Sequence, residues 1–147
     1  MDIFDDDSAR HVSRTSVLHG ADWFLWLAIL SVINSLIVYF YNIPNTPVAL
    51  GITQWLDGTH AGIGSAMSNG WLVTNILIAG ALAMFGVLAR RGSDVAFVVG
   101  IFLYVIDAFL VIGLRDLFGF GVHLLGLFFL FKGLLASRHI RENAVSI

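Results

Sequence analysis

The sequence contains no cysteine, only two prolines and little charge, and these shortages exclude several classes of protein. Without cysteine there can be no disulfide framework, no thiolate nucleophile and no thiolate metal site. Charged residues make up 12% of the chain and hydrophobic residues 58%, whereas about a quarter of the residues are charged in an ordinary soluble domain. Too little polar material is present to cover a water-facing surface, so we expect the chain to lie in a lipid bilayer.

The basic residues are few and scattered, and the formal net charge is −2. A nucleic-acid-binding protein needs a basic face, so no nucleic-acid partner is expected. The N-terminus is acidic and has no basic start followed by an apolar stretch, so we expect no cleaved secretory signal. The length of 147 residues suits one domain.

Apolar stretches of helical length dominate the rest of the chain. A helix needs about 20 residues to cross a hydrocarbon core of about 30 Å. Membrane-spanning β-strands would be half as long and would alternate in polarity, which these stretches do not. The sequence therefore predicts an all-α, integral membrane four-helix bundle over 22–136, with flexible cytoplasmic tails at 1–21 and 137–147. The predicted spans cover about 22–41, 70–89, 95–114 and 117–136.

The distribution of lysine and arginine predicts the orientation. Every basic residue except Arg115 falls before the first span, between the second and third, or at the C-terminal end. Basic residues concentrate on the cytoplasmic side of membrane proteins. We therefore expect a multi-pass protein of the cytoplasmic (plasma) membrane with both termini in the cytoplasm.

The segment 47–68, between the first two spans, has a helical amphipathic pattern. At 100° per residue its apolar side chains cluster on one arc, and Asp57 and His60 fall on the facing arc with Gln54 at its edge. This pattern predicts an extra amphipathic helix on the outer side, lying across the mouth of the bundle, with these polar residues as an outer lid. A re-entrant hairpin that bends at Gly58 is the alternative geometry.

Polar residues within the spans fall at one depth. Asn34, Asn75, Asp107 and His123 each lie six or seven residues from the outer end of their span, which places them about 10 Å below the outer interface at the rise of an α-helix. Tyr104 lies one turn from Asp107. We call the four residues and Tyr104 the polar layer, and it is the candidate for a binding or proton-relay site.

Asp107 and His123 are the strongest pair within this layer. They are equally distant from a predicted turn at Arg115, so they should face each other on neighbouring antiparallel helices. A buried carboxylate in a membrane is costly without a partner. Polar side chains in membrane helices also serve simply as hydrogen bonds between helices, and that structural role is the alternative for the whole layer.

Signatures of catalysis and of cofactor binding are missing. Asp57 and His60 could supply only two metal ligands, both of common types. Two such ligands are too weak a signal to predict a metal site. A bis-histidine haem would need a second histidine at the depth of His123, and the predicted spans contain none there. We predict no catalytic residue and no cofactor.

Three functions remain compatible with the sequence. The first is a non-catalytic accessory or assembly subunit, or a lipid-embedded structural module, that works as a homo-oligomer or within a larger membrane complex. The second is an oligomeric transporter or an ion- or proton-conducting module that uses Asp107 and His123. A membrane-embedded enzyme is a remote third.

Overall fold

The computed structural model is all-helical and describes residues 3–41, 50–60 and 65–145, with side chains over 12–41, 50–56 and 69–143. Four of its helices contain stretches that are long and apolar enough to cross a membrane. The predicted all-helical fold with four such helices is confirmed. The described helices are α1 (Ile3–Tyr41), α2 (Gly51–His60), α3 (Ser65–Arg90), α4 (Asp94–Gly113) and α5 (Leu117–Val145).

The four long helices form a ring in which neighbours run antiparallel. Helix α1 packs against α3 and α5, and α4 contacts the same two helices from the other side. The rings of Trp23 on α1 and Phe129 on α5 stack with their centroids 4.9 Å apart. Phe24 reaches across the ring to α4, where it lies against Phe97 with 6.1 Å between ring centroids. The short helix α2 enters this ring between α1, α3 and α4.

One half of the bundle is packed through glycines. A Cβ atom added at Gly20 would lie 2.6 Å from the Cα of Gly133, so only glycine lets α1 and α5 meet backbone to backbone. A Cβ at Gly100 would lie 2.5 Å from the ring of Phe24. Small residues allow such close approach between membrane helices, where van der Waals contact replaces the hydrophobic driving force. We call this half the glycine-packed half.

The outer surface of the bundle is also apolar. Large hydrophobic side chains point away from the core along every long helix, and a water-soluble protein rarely exposes so continuous an apolar surface. This surface and the four apolar helices indicate a membrane protein. Examples with at least 60% of their surface exposed are Trp26, Leu77, Val95, Phe102, Phe109, Leu117, Phe128 and Leu135.

The turn between α4 and α5 forms where the sequence predicts it. Arg115 takes a left-handed backbone conformation with φ of 59°. The next residue, Asp116, accepts a hydrogen bond from the backbone N–H of Gly119 at 2.8 Å and so satisfies the first turn of α5. This tight turn sets α4 and α5 side by side with Asp107 and His123 at matching levels.

The terminal segments differ from the predicted flexible tails. Helix α1 already begins at Ile3, and α5 continues to Val145. Val17 on α1 and Ser137 on α5 are both buried, because these extensions pack against the ends of the bundle. Acidic residues near the N-terminus obscured this helix in the sequence.

Candidate functional site

Helix α2 begins inside the bundle rather than across its end. Leu50 is buried, and its backbone N–H donates a hydrogen bond to the hydroxyl oxygen of Ser31 on α1 at 3.0 Å. Ser31 lies ten residues before the end of α1 at Tyr41, which corresponds to about 15 Å along the helix axis. The start of α2 therefore lies well below the end of the bundle.

The carboxylate of Asp107 holds the first turn of α2. Oδ2 accepts a hydrogen bond from the backbone N–H of Gly51 and Oδ1 accepts one from the backbone N–H of Ile52, both at 2.8 Å. The first N–H groups of any helix lack partners within the helix, and the positive end of the helix dipole favours an anion there. Asp107 thus acts as an N-terminal cap supplied by a different helix.

Two small features of α2 make this contact possible. A Cβ at Gly51 would lie 2.8 Å from the backbone oxygen of Asp107 and 2.7 Å from Val111, so only glycine fits against α4. The hydroxyl of Thr53 donates to the backbone oxygen of Leu50 at 2.8 Å. Three successive backbone N–H groups, those of Leu50, Gly51 and Ile52, are therefore bonded to side chains of the protein itself.

His123 completes the surroundings of the carboxylate. Its Nε2 lies 2.9 Å from Oδ2 of Asp107, and its Nδ1 lies 2.8 Å from the backbone oxygen of Gly119, one turn earlier on α5. A carbonyl oxygen can only accept, so Nδ1 carries a proton. One further proton is then shared between Nε2 and Oδ2, and the pair is net neutral whichever atom holds it.

Tyr104 covers the imidazole of His123. The two rings are stacked with their centroids 4.7 Å apart and 13° between their planes. The hydroxyl of Tyr104 is buried and has no hydrogen-bond partner among the described residues. A Cβ at Gly126 would lie 2.8 Å from this hydroxyl, so glycine makes room for it. This stacking holds the imidazole ring in the orientation in which Nε2 faces Asp107.

The rest of the polar layer lies between α1 and α3. The side-chain amide of Asn75 donates to the hydroxyl of Ser35 at 3.0 Å, and Asn34 is buried on the same helix as Ser35. The structure therefore brings Asp107, His123 and Tyr104 together, and it links Asn75 to α1 rather than to Asp107. The layer therefore contains one hydrogen-bonded pair between α4 and α5, Asp107 with His123, and one bond between α3 and α1, from Asn75 to Ser35.

A cavity of about 300 Å³ lies beside Asp107, between α3 and α4. Apart from Asp107 and Tyr104, its lining consists of apolar side chains from α2, α3 and α4 and of Leu50. The walls offer little to a polar ligand, since both carboxylate oxygens of Asp107 already accept hydrogen bonds.

Of the predicted outer lid, the structure describes the surroundings of one residue, Gln54. Gln54, expected at a water-facing edge, is buried, and so is Thr53, because this side of α2 faces the bundle. Asp57 and His60 belong to α2, but their side chains lie outside the described residues. Of the helix predicted over 47–68, the structure describes Gly51–His60 as α2 and places 65–68 in α3, and 47–49 and 61–64 lie outside the described residues. Gly58 lies within α2, so the described helix does not bend there.

Sequence reasoning missed what Asp107 binds. The backbone N–H groups of Gly51 and Ile52 carry no side-chain signal, and helical periodicity cannot tell a surface helix from one that starts inside a bundle. The useful signal was Pro44 and Pro47, which separate α2 from the first span, followed by the small Gly51. Broken helices in membrane proteins occur where their ends are buried in protein.

Potential metal ligands are not gathered in the part of the chain that the structure describes. Among the residues that the structure describes, no group of three or more His, Asp or Glu side chains is placed to hold a metal ion. The chain matches no protein-family model, no curated protein and no solved structure, so its function has to be inferred from its own geometry.

Proposed function

We propose that this protein is a non-catalytic structural or accessory module of the cytoplasmic membrane, with four spans and both termini in the cytoplasm. In this proposal the polar layer fixes α2 within the bundle and handles no substrate. The orientation is supported by the turn at Arg90 and Arg91, which lies at the same end as both termini, while Arg115 lies alone at the other end.

The observation that carries the proposal is the full engagement of Asp107. Both of its oxygens accept hydrogen bonds from α2, and Oδ2 also contacts His123. A cargo-binding carboxylate needs an oxygen that can exchange its partner for the cargo. Here an exchange at either oxygen would leave one backbone N–H group of α2, at Gly51 or Ile52, without its acceptor, which costs about 1–3 kcal/mol.

The surroundings of His123 also favour a structural role over proton transfer. A relay needs hydrogen-bonding groups on both sides of the imidazole that continue toward the two membrane surfaces. Nδ1 instead meets the backbone oxygen of Gly119 within its own helix. The stacked Tyr104 hydroxyl meets Gly126 and has no hydrogen-bond partner among the described residues. Among the described residues, a proton on His123 therefore meets Asp107 and the Gly119 carbonyl but no acceptor that leads farther.

The apolar outer faces are the basis for expecting partners. A small bundle with exposed aromatic side chains along α4 and α5 can associate with a second copy or with a larger membrane complex through the same faces that contact lipid. A homo-oligomer and a hetero-complex both remain compatible with a structural module.

A flux assay on reconstituted protein tests the proposal. Purified protein in vesicles with an internal pH dye is given a potassium gradient and valinomycin, so that the membrane potential drives protons inward. We expect wild type and Asp107→Asn to show the leak of protein-free vesicles. Proton flux in wild type that Asp107→Asn abolishes would contradict the structural role.

The cavity beside Asp107 is the one observation that favours the transport alternative. Its volume of about 300 Å³ would admit a small apolar molecule or part of one, and it approaches the Asp107–His123 pair. If the cavity were a transport site, filling it should block transport without unfolding the protein. Ala81→Leu on its α3 wall is the variant to use beside Asp107→Asn.

A further inference from the structure

A second cavity lies at the opposite end of the bundle from α2. It has a volume of about 510 Å³ and is formed by the start of α1, the α3–α4 turn and the end of α5. Among the residues whose side chains the structure describes, four arginines and no acidic residue line it, and the remaining lining is mostly apolar. The lining residues are Arg14, Val17, Leu18, Arg90, Arg91, Gly92, Ser137, Ile140 and Arg141.

Two of the four arginines have acidic partners beside the cavity. Arg90 forms an ion pair with Asp22 on α1, and Arg141 forms one with Asp94 at 3.1 Å. Asp94 also accepts a hydrogen bond from the hydroxyl of Ser137. These bonds join α1 to α3 and α4 to α5 beside the cavity.

The other two arginines, Arg14 and Arg91, form no ion pair with any described residue. Arg14 lies on α1 and Arg91 in the α3–α4 turn, and both side chains are exposed. Gly92 takes a positive φ of 83° in that turn, and its backbone oxygen accepts a hydrogen bond from Arg141. The cavity therefore has an excess of positive charge contributed by separate elements of the fold.

We propose that this cavity binds the headgroup of an anionic phospholipid, with Arg14 and Arg91 as the phosphate ligands. The position fits a lipid, since the cavity lies where the apolar helices end and their basic residues begin. Its apolar side, with Val17, Leu18 and Ile140, suits the glycerol and upper acyl chain. Basic pockets between helices on the cytoplasmic side recognise anionic headgroups in this way. The site goes beyond the structural role of α2 and needs only that the chain lies in a bilayer.

Lipid binding to the detergent-solubilised full chain tests the proposal. Dioleoylphosphatidylglycerol and dioleoylphosphatidylcholine, which share acyl chains and differ in headgroup charge, are titrated while bound lipid is counted by native mass spectrometry. Wild type should bind phosphatidylglycerol at least tenfold more tightly than phosphatidylcholine. Arg14→Gln with Arg91→Gln should lose roughly thirtyfold in affinity for it, at about fivefold per arginine near a membrane surface.

Arg138→Gln is the matched control, because Arg138 lies on α5 at the same end but does not line the cavity. It should keep affinity within about twofold. The proposal is overturned if the double variant binds phosphatidylglycerol as wild type does, or if phosphatidylcholine binds equally well. Competition by inorganic phosphate at millimolar concentration would also overturn it, since the site would then select a free anion rather than a lipid.

Discussion

Near one end of the bundle α1 and α5 touch backbone to backbone at Gly20 and Gly133, whereas toward the other end α2 is joined to α1 and α4 by hydrogen bonds. The Gly20–Gly133 contact depends on shape, because lipid tails and apolar side chains attract one another equally well. The second region depends on polar groups, because a helix that begins inside a membrane must satisfy its first N–H groups there. One small chain thus uses two separate means of assembly.

The difference predicts how each region responds to mutation. A close-packed contact should lose stability when a side chain is enlarged. Removing a nearby charge should have little effect on it. A hydrogen-bonded helix end should fail when its acceptor is removed, even if the volume is kept. The following predictions test each half against the other.

Asp107→Ala should have the largest effect. It removes the acceptor of two backbone N–H groups and leaves His123 without its partner, so the free energy of unfolding should fall by about 3–5 kcal/mol, as when a buried pair is broken. Unfolding in mixed micelles, followed by tryptophan fluorescence, measures it. Asp22→Ala is the control, a partly exposed carboxylate paired with Arg90, and it should cost at most about 1 kcal/mol.

The double change Asp107→Leu with His123→Leu sharpens the assignment. Buried ion pairs that merely join two helices can often be replaced by apolar residues without loss. Here the N–H groups of Gly51 and Ile52 would remain unsatisfied, so the double variant should stay about 1–3 kcal/mol or more below wild type in free energy of unfolding. Recovery to wild-type stability would mean that the pair only joins α4 and α5.

Gly133→Ala tests the glycine-packed half. The added methyl group would lie 2.8 Å from the Cα of Gly20, and forcing the helices apart should lower the free energy of unfolding by about 1–3 kcal/mol. Gly80→Ala adds the same group where nothing lies within 4 Å, and it should not destabilise the protein. Equal effects at the two positions would refute shape-dependent packing.

Ser31→Ala should have the smallest effect of the set. It removes one neutral acceptor from the backbone N–H of Leu50, a loss of about 0.5–2 kcal/mol in free energy of unfolding for a helix cap. Thr74→Ala is a suitable control, because the Thr74 hydroxyl bonds only within its own helix, to Gly70. If Thr74→Ala lowered the free energy of unfolding as much as Ser31→Ala, the bond from Ser31 to the start of α2 would be worth no more than a hydroxyl bond within one helix.

The two regions also differ in how far the sequence predicts them. Composition and helix length predicted the four apolar helices, and equal distance from Arg115 predicted the contact between Asp107 and His123, which is present at 2.9 Å. Both follow from local geometry along one helix or across one tight turn. The position of α2 did not follow, because its amphipathic pattern is the same whether its buried face meets lipid or the bundle. Gln54 was misjudged for this reason.

The glycine-packed half was predicted in part. On the last span Gly119, Gly126 and Gly133 recur every seven residues, a spacing that predicts close helix packing, and Gly126 and Gly133 do make room for Tyr104 and for Gly20. The partner helix was not predictable from spacing alone. Contacts between α1 and α5 join the two ends of the chain, and no turn in the sequence sets their register.

The most direct test of the role of Asp107 is amide hydrogen exchange of α2. Peptides covering 50–60 and 127–134 are followed by mass spectrometry in wild type and in Asp107→Ala, at a temperature where both remain folded. We predict that Asp107→Ala exchanges 50–60 much faster, because Gly51 and Ile52 lose their acceptor, while 127–134 in the glycine-packed half exchanges as in wild type. Unchanged exchange over 50–60 would contradict the conclusion that Asp107 holds this helix in the bundle.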